Sequence, residues 1–148
     1  MTDFYLWATS RCAVKEYCCS EIASKLQQKG ATPDETEALL ERLVNEKYID
    51  EARYAAAFVS DKFRFDHWGR IKINHALRQK GIADSLIREA LEAIDEEEYR
   101  TMLTEFIQSK RRTTKGDTPY AVNQKIVRSA ITRGFEPHLV FDLVQLDE

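Results

Sequence analysis

Glycine and proline are scarce, five and three among 148 residues. A β-sandwich or barrel needs such residues at a turn every few positions, so an all-β chain is excluded. No apolar run approaches the roughly 18 residues of a membrane span, and Met1 opens no charged-then-apolar leader. A cytosolic chain without a membrane partner is therefore expected. Cysteine is confined to Cys12, Cys18 and Cys19, an odd number crowded towards one end, whereas a disulfide framework spreads its pairs through the chain. His67, His75 and His138 lie too far away in sequence to complete a zinc set. Reduced thiols, no metal and no cofactor are expected. The chain also lacks a glycine-rich phosphate loop, a Gly-x-Ser-x-Gly elbow and any defensible Ser/His/Asp arrangement, so no enzyme is expected. Its acidic runs, Asp34-Glu35 and Glu96-Glu97-Glu98, open helices, where negative charge is favourable without any chemistry.

Apolar residues make up 43% of the chain, enough for a core. The net charge of −3 hides a pattern. Residues 34–61 carry eight acids and three bases, and residues 84–100 seven acids and two bases. Residues 62–81 carry six bases and one acid, and residues 108–133 seven bases and one acid. Blocks alternating in sign can build separate faces of opposite potential.

Self-similarity organises the chain. Ile22-x3-Leu26-Gln27-Gln28-Lys29-Gly30 returns as Ile73-x3-Leu77-Arg78-Gln79-Lys80-Gly81, and more loosely as Ile126-x3-Ala130-Ile131-Thr132-Arg133-Gly134. Ile49-Asp50-Glu51-x2-Tyr54 returns as Ile94-Asp95-Glu96-x2-Tyr99, with Asp3 and Trp7 as a weaker first copy. Asp50 and Asp95 suit helix N-caps, and each repeat glycine suits the left-handed residue that closes a helix. Thr32-Pro33-Asp34-Glu35 reads as a capping box with proline in the first turn, and Pro137 holds the matching place later. Tyr99, Met102, Leu103, Phe106 and Ile107 fall on one helical face, and Leu39, Leu40, Leu43 and Val44 on another. The expectation is an all-α fold of three tandem three-helix repeats, residues 1–49, 50–95 and 96–148, stacked as an elongated, curved array. Arg111 to Pro119 is expected as an exposed, mobile loop, with a merely elongated connection as the alternative.

Several stretches resemble the RecX family of recombinase regulators. They are Glu21-Ile22-x3-Leu26-x2-Lys29-Gly30, Leu43-Val44-x3-Tyr48-Ile49-Asp50-x2-Arg53-Tyr54-Ala55, Gly69-Arg70-Ile71-x5-Leu77-Arg78-Gln79-Lys80-Gly81-Ile82 and Arg133-Gly134-Phe135. Cys18 and Ala83 stand where the family often has Ser and Asp at helix starts. The resemblance implies a protein that binds the filament of a RecA-type recombinase on single-stranded DNA. It implies suppression of ATP hydrolysis, filament growth and strand exchange. A monomer is expected, with the filament as partner and single-stranded DNA as a second one. A stand-alone single-strand-binding module and a helical scaffold for another acidic partner stay open beside it.

Candidate contact residues come from the basic blocks. In the middle repeat they are Lys62, Arg64, His67, Arg70, Lys72 and Arg78; in the last they are Arg111, Arg112, Lys115, Lys125 and Arg128. Cations beside aromatic residues can meet phosphates or bases, or an acidic protein surface. The ordinary alternative is a solvated helix face offsetting its acidic neighbours. Phe65 and Trp68 are expected in the core or between repeats, and Arg133 as a helix-end cation like Lys29 and Lys80.

Overall fold

A computed structural model describes residues 3–147, and the expectation drawn on Met1 falls outside them. The described residues form nine helices and no strand: α1 (Phe4–Cys12), α2 (Cys19–Gln28), α3 (Pro33–Asn45), α4 (Glu51–Arg64), α5 (Arg70–Gln79), α6 (Asp84–Glu92), α7 (Glu96–Thr113), α8 (Pro119–Thr132) and α9 (Pro137–Asp147). None is long and apolar enough to cross a membrane.

The helix ends follow local chemistry. Asp3, Asp50 and Asp95 accept the backbone N–H of Leu6, Arg53 and Glu98 at 3.0, 3.0 and 2.9 Å, each satisfying an amide that the first turn leaves without a partner. Thr32 and Glu35 close their box in both directions, at 3.1 and 2.9 Å. Cys18 precedes α2, and its N–H donates to Glu21 at 3.1 Å. Gly30, Gly81 and Gly134 have φ of +91°, +80° and +98°. After each, the next N–H reaches back to the helix: Ala31 to Leu26, Ile82 to Leu77, and Phe135 to Ala130, at 3.0 to 3.2 Å. This is one closing motif used three times, and its hydrophobic follower is buried at Ile82 and Phe135.

The chain divides into two compact units. The first comprises Met1–Phe58 with Leu77–Ala90, the second Val59–Ala76 with Leu91–Glu148. The division passes through α4, α5 and α6.

In the first unit Ala8, Tyr17, Ile22, Leu26, Leu43 and Ile49 are buried together, with Trp7, Leu39 and Leu40 packed against them. Val44 departs from its expected place and is exposed. It lies about 100° around α3 from Leu43, beyond the side that meets α1 and α2. Glu21 ties this unit together by accepting from Lys80 Nζ at 3.2 Å and from the Tyr54 hydroxyl at 3.3 Å. The Ser20 hydroxyl donates to the Lys80 carbonyl at 2.6 Å. The cysteines are free thiols, and burial, followed by the charge of Glu51, pushes Cys19 up to about 11. That keeps it protonated and poorly nucleophilic.

The second unit packs α7, α8 and α9 on one another around Tyr99, Leu103, Ile107, Ile126, Ala130, Phe135 and Val140. Phe63 stacks on Tyr99 and Phe135 packs tilted against the same ring, with centroids 5.7 and 5.5 Å away. Helix α7 continues to Thr113, so Arg111 and Arg112 are helical and the connection shrinks to residues 114–118. Arg111 has a structural duty that the loop expectation denied it. Its guanidinium donates to Asp147 at 2.7 Å, to Asn123 at 2.8 Å and to the Val144 carbonyl at 3.3 Å, clamping three helices.

Candidate nucleic-acid interface

The second unit contains an unusually close backbone approach. Gly69 N–H donates to the Arg133 carbonyl at 2.8 Å, and Ile71 N–H to the Gly134 carbonyl at 3.0 Å. A Cβ on Gly69 would lie 2.3 Å from the Gly134 carbonyl carbon, and one on Gly134 would lie 2.4 Å from Lys72 Cβ. Two glycines thus let the start of α5 lie directly on the end of α8. This brings Lys72 beside Arg128 and Arg133, residues far from it in sequence.

A network locks the junction. Arg70 donates to Glu136 at 2.9 Å and to Glu96 at 2.5 Å, and its guanidinium sits 3.8 Å from the Tyr99 ring centroid. The Tyr99 hydroxyl donates to Glu136 and accepts the Arg70 N–H at 3.0 Å. Burial, then the Glu136 carboxylate, push the Tyr99 hydroxyl far above its ordinary range, so it remains a donor. Burial opposes the charge of Arg70, but its hydrogen bonds to Glu136 and Glu96 hold it above the usual guanidinium value. Only 22% of the Arg70 side chain is exposed. Its donors are taken up by Glu136 and Glu96, so it is a positioning residue of this unit. Replacing Arg70 together with Lys72 and Arg78 therefore confounds contact with stability. Arg70→Ala alone should lower stability by about 2 kcal/mol, short of a fully buried pair because Glu96 is exposed; the midpoint of urea unfolding checks it.

Next to this junction is an open recess of about 330 Å³, lined by Lys72, Phe106, Lys110, Arg128, Ser129, Thr132 and Arg133. It holds four cations and two hydroxyl side chains with no carboxylate in its lining. Cations gathered without a counter-charge favour an anion. Phe106 orders two of them: Lys110 Nζ lies 5.7 Å and the Arg133 guanidinium 5.4 Å from its centroid. Arg133 also donates to the Asp66 carbonyl at 2.9 Å, which holds the 65–68 turn beside the recess. In that turn Trp68 has Lys62 Nζ at 4.8 Å and Lys72 Nζ at 4.4 Å from its centroid. Phe65, expected inside, is 76% exposed. It follows the last residue of α4, past the stretch whose apolar face points inward.

The sequence-derived candidates separate accordingly. Lys72 and Arg128 meet at the recess, and Lys62 flanks it through Trp68. Lys125 lies further along α8 and donates to the Lys115 carbonyl at 2.7 Å. Arg64 pairs with Glu98 at 3.7 Å, and His67 is exposed with φ of +57°. Arg112 is exposed on α7. Arg78 belongs to the first unit, where it pairs with Asp84 at 3.4 Å. Lys110, Arg133 and Phe106 also line the recess without having stood among the sequence-derived candidates, although Phe106 and Lys110 are one turn apart, a spacing that places them on one face.

Known proteins place the chain. Residues 50–91 match the family model described as RecX, second three-helix domain. Regulatory protein RecX of Clostridium botulinum (strain Eklund 17B / Type B) is 30% identical over 128 residues, covering 84% of this chain and 59% of that protein. Regulatory protein RecX of Prosthecochloris aestuarii is 28% identical over 127 residues, covering 86% of this chain and 82% of the relative. The chain thus spans less than two thirds of the Clostridium protein. A crystal structure of regulatory protein RecX superposes with a TM-score of 0.85 at 27% identity, covering 99% of this chain and 73% of that one. With the repeat motifs, the thrice-used helix closure and this likeness along nearly its whole length, the chain is similar throughout to regulatory protein RecX, and residues 50–91 match that family's second three-helix domain.

Proposed function

We propose that this chain binds the filament of a RecA-type recombinase on single-stranded DNA and inhibits its ATP hydrolysis, growth and strand exchange. The observation that carries the reading is the likeness to regulatory protein RecX, which covers 99% of this chain in three dimensions. The sequence motifs that resemble the family run through both compact units. The helix triplets at 1–49, 50–95 and 96–148 would serve as successive contact modules, suited to a partner whose own protomers repeat. The role needs no catalytic group: it requires only that the protein bind the assembled filament better than the free recombinase.

Co-sedimentation tests the binding step. Recombinase filaments assembled on single-stranded DNA with a non-hydrolysable ATP analogue should carry this protein into the pellet, while naked recombinase at equal concentration should not. Protein left in the supernatant at micromolar filament would contradict the proposal.

A further inference from the structure

We infer that the recess of the second unit holds successive phosphates of a single nucleic-acid strand, with Phe65 as the platform for a neighbouring base. The inference deepens the filament reading, on which it rests for the setting in which the strand is met. Three observations carry it. The recess combines Lys72, Lys110, Arg128 and Arg133 with Ser129 and Thr132, and its lining contains no acid, so both charge and hydroxyl donors suit phosphodiester oxygens. The cations continue past the recess to Lys125 along α8, and across Trp68 to Lys62, which shares its charge with Asp66 at 3.1 Å. That is a track and not a point site, as a polymeric anion requires. Phe65 is 76% exposed, has no ring partner among the described residues, and adjoins the Asp66 carbonyl that Arg133 holds.

An acidic protein surface is the competing occupant. It is disfavoured because protein interfaces centre on an apolar core, whereas the apolar elements here are single rings set among cations. Phosphates with intervening bases match an alternation of cation and ring better than a carboxylate patch does.

The test uses the full chain without recombinase and a fluorescent dT oligonucleotide, followed by anisotropy across a salt series. Wild-type protein should bind at low salt and weaken steeply as salt rises. The triple variant K72Q/K110Q/R128Q keeps most of each aliphatic stem. It should lose at least tenfold in affinity, and its log–log salt slope should be shallower by about 2, at about 0.7 per lost single-strand contact. Phe65→Ala should lose about fivefold or more with the slope unchanged, because stacking releases no counterions. Lys25→Gln, on the first unit, should bind as wild type, and thermal melts should show every variant folded.

No binding by wild type at low salt overturns the inference, as does an unchanged slope in the folded triple variant. Displacement of the strand by ATP at equal phosphate concentration would replace it with a free-nucleotide site. Displacement by polyglutamate at equal charge would replace it with an acidic protein contact. Recombinase ATPase assayed in parallel separates the two levels. Inhibition without strand binding sinks the strand contact alone, while strand binding without inhibition sinks the filament reading alone.

Discussion

Gly69→Ala should unfold the second unit or cost it on the order of 4 kcal/mol, at the diagnostic end of single-substitution effects. Its Cβ would meet backbone atoms of Gly134 and Phe135 at 2.3 to 2.4 Å, and backbone cannot swing aside as a flexible side chain can. Relief requires parting α5 from the end of α8, with loss of the two backbone hydrogen bonds that join them. Gly81→Ala is the instructive contrast. Gly81 has φ of +80° but nothing within 4 Å of the added Cβ, so it should lose only the left-handed penalty, about 1–2 kcal/mol. Chemical denaturation of both variants checks the pair. Equal and small losses would show that the close approach at Gly69 does not form. Because that approach places Lys72 beside Arg128 and Arg133, a folded Gly69→Ala variant should also bind a single strand more weakly.

The second large effect is expected at Leu77. Its side chain is fully buried, and its carbonyl accepts the N–H groups of Lys80 and Ile82 that close α5. Leu77→Asp would remove a core side chain and leave a carboxylate without a partner. The expected loss is on the order of 5 kcal/mol, comparable to the whole stability of a small domain. Leu77→Met, close in volume, should cost under about 1.5 kcal/mol. Circular dichroism should show the Asp variant largely unfolded at room temperature and the Met variant helical with a cooperative melt.

What was legible in the sequence was local. Asp50, Asp95 and the Thr32–Glu35 box act within one helical turn, and Gly30, Gly81 and Gly134 answer a backbone demand at their own positions. Their roles need no knowledge of the rest of the chain. Arg70 and Arg111 were misjudged because charge along a helix does not reveal a partner. Arg70 meets Glu136, 66 positions away, and Arg111 meets Asp147, 36 positions away. Phe65 was misplaced because an aromatic one residue past a helix has no periodicity to orient it. The recess was half visible: Lys72 and Arg128 were named from charge, but their meeting depends on Gly69 and Gly134, whose packing no sequence spacing discloses. Arg133 carries two roles, helix closure and recess wall, and only the first has a local signature.

The most direct test of the central claim is DNA-dependent ATP hydrolysis by a RecA-type recombinase on single-stranded DNA, titrated with this protein. Turnover should fall when the protein is present at far fewer copies than recombinase protomers, as inhibition of a cooperative filament requires. Unchanged turnover at equimolar protein, with the protein shown to be folded, would contradict the account.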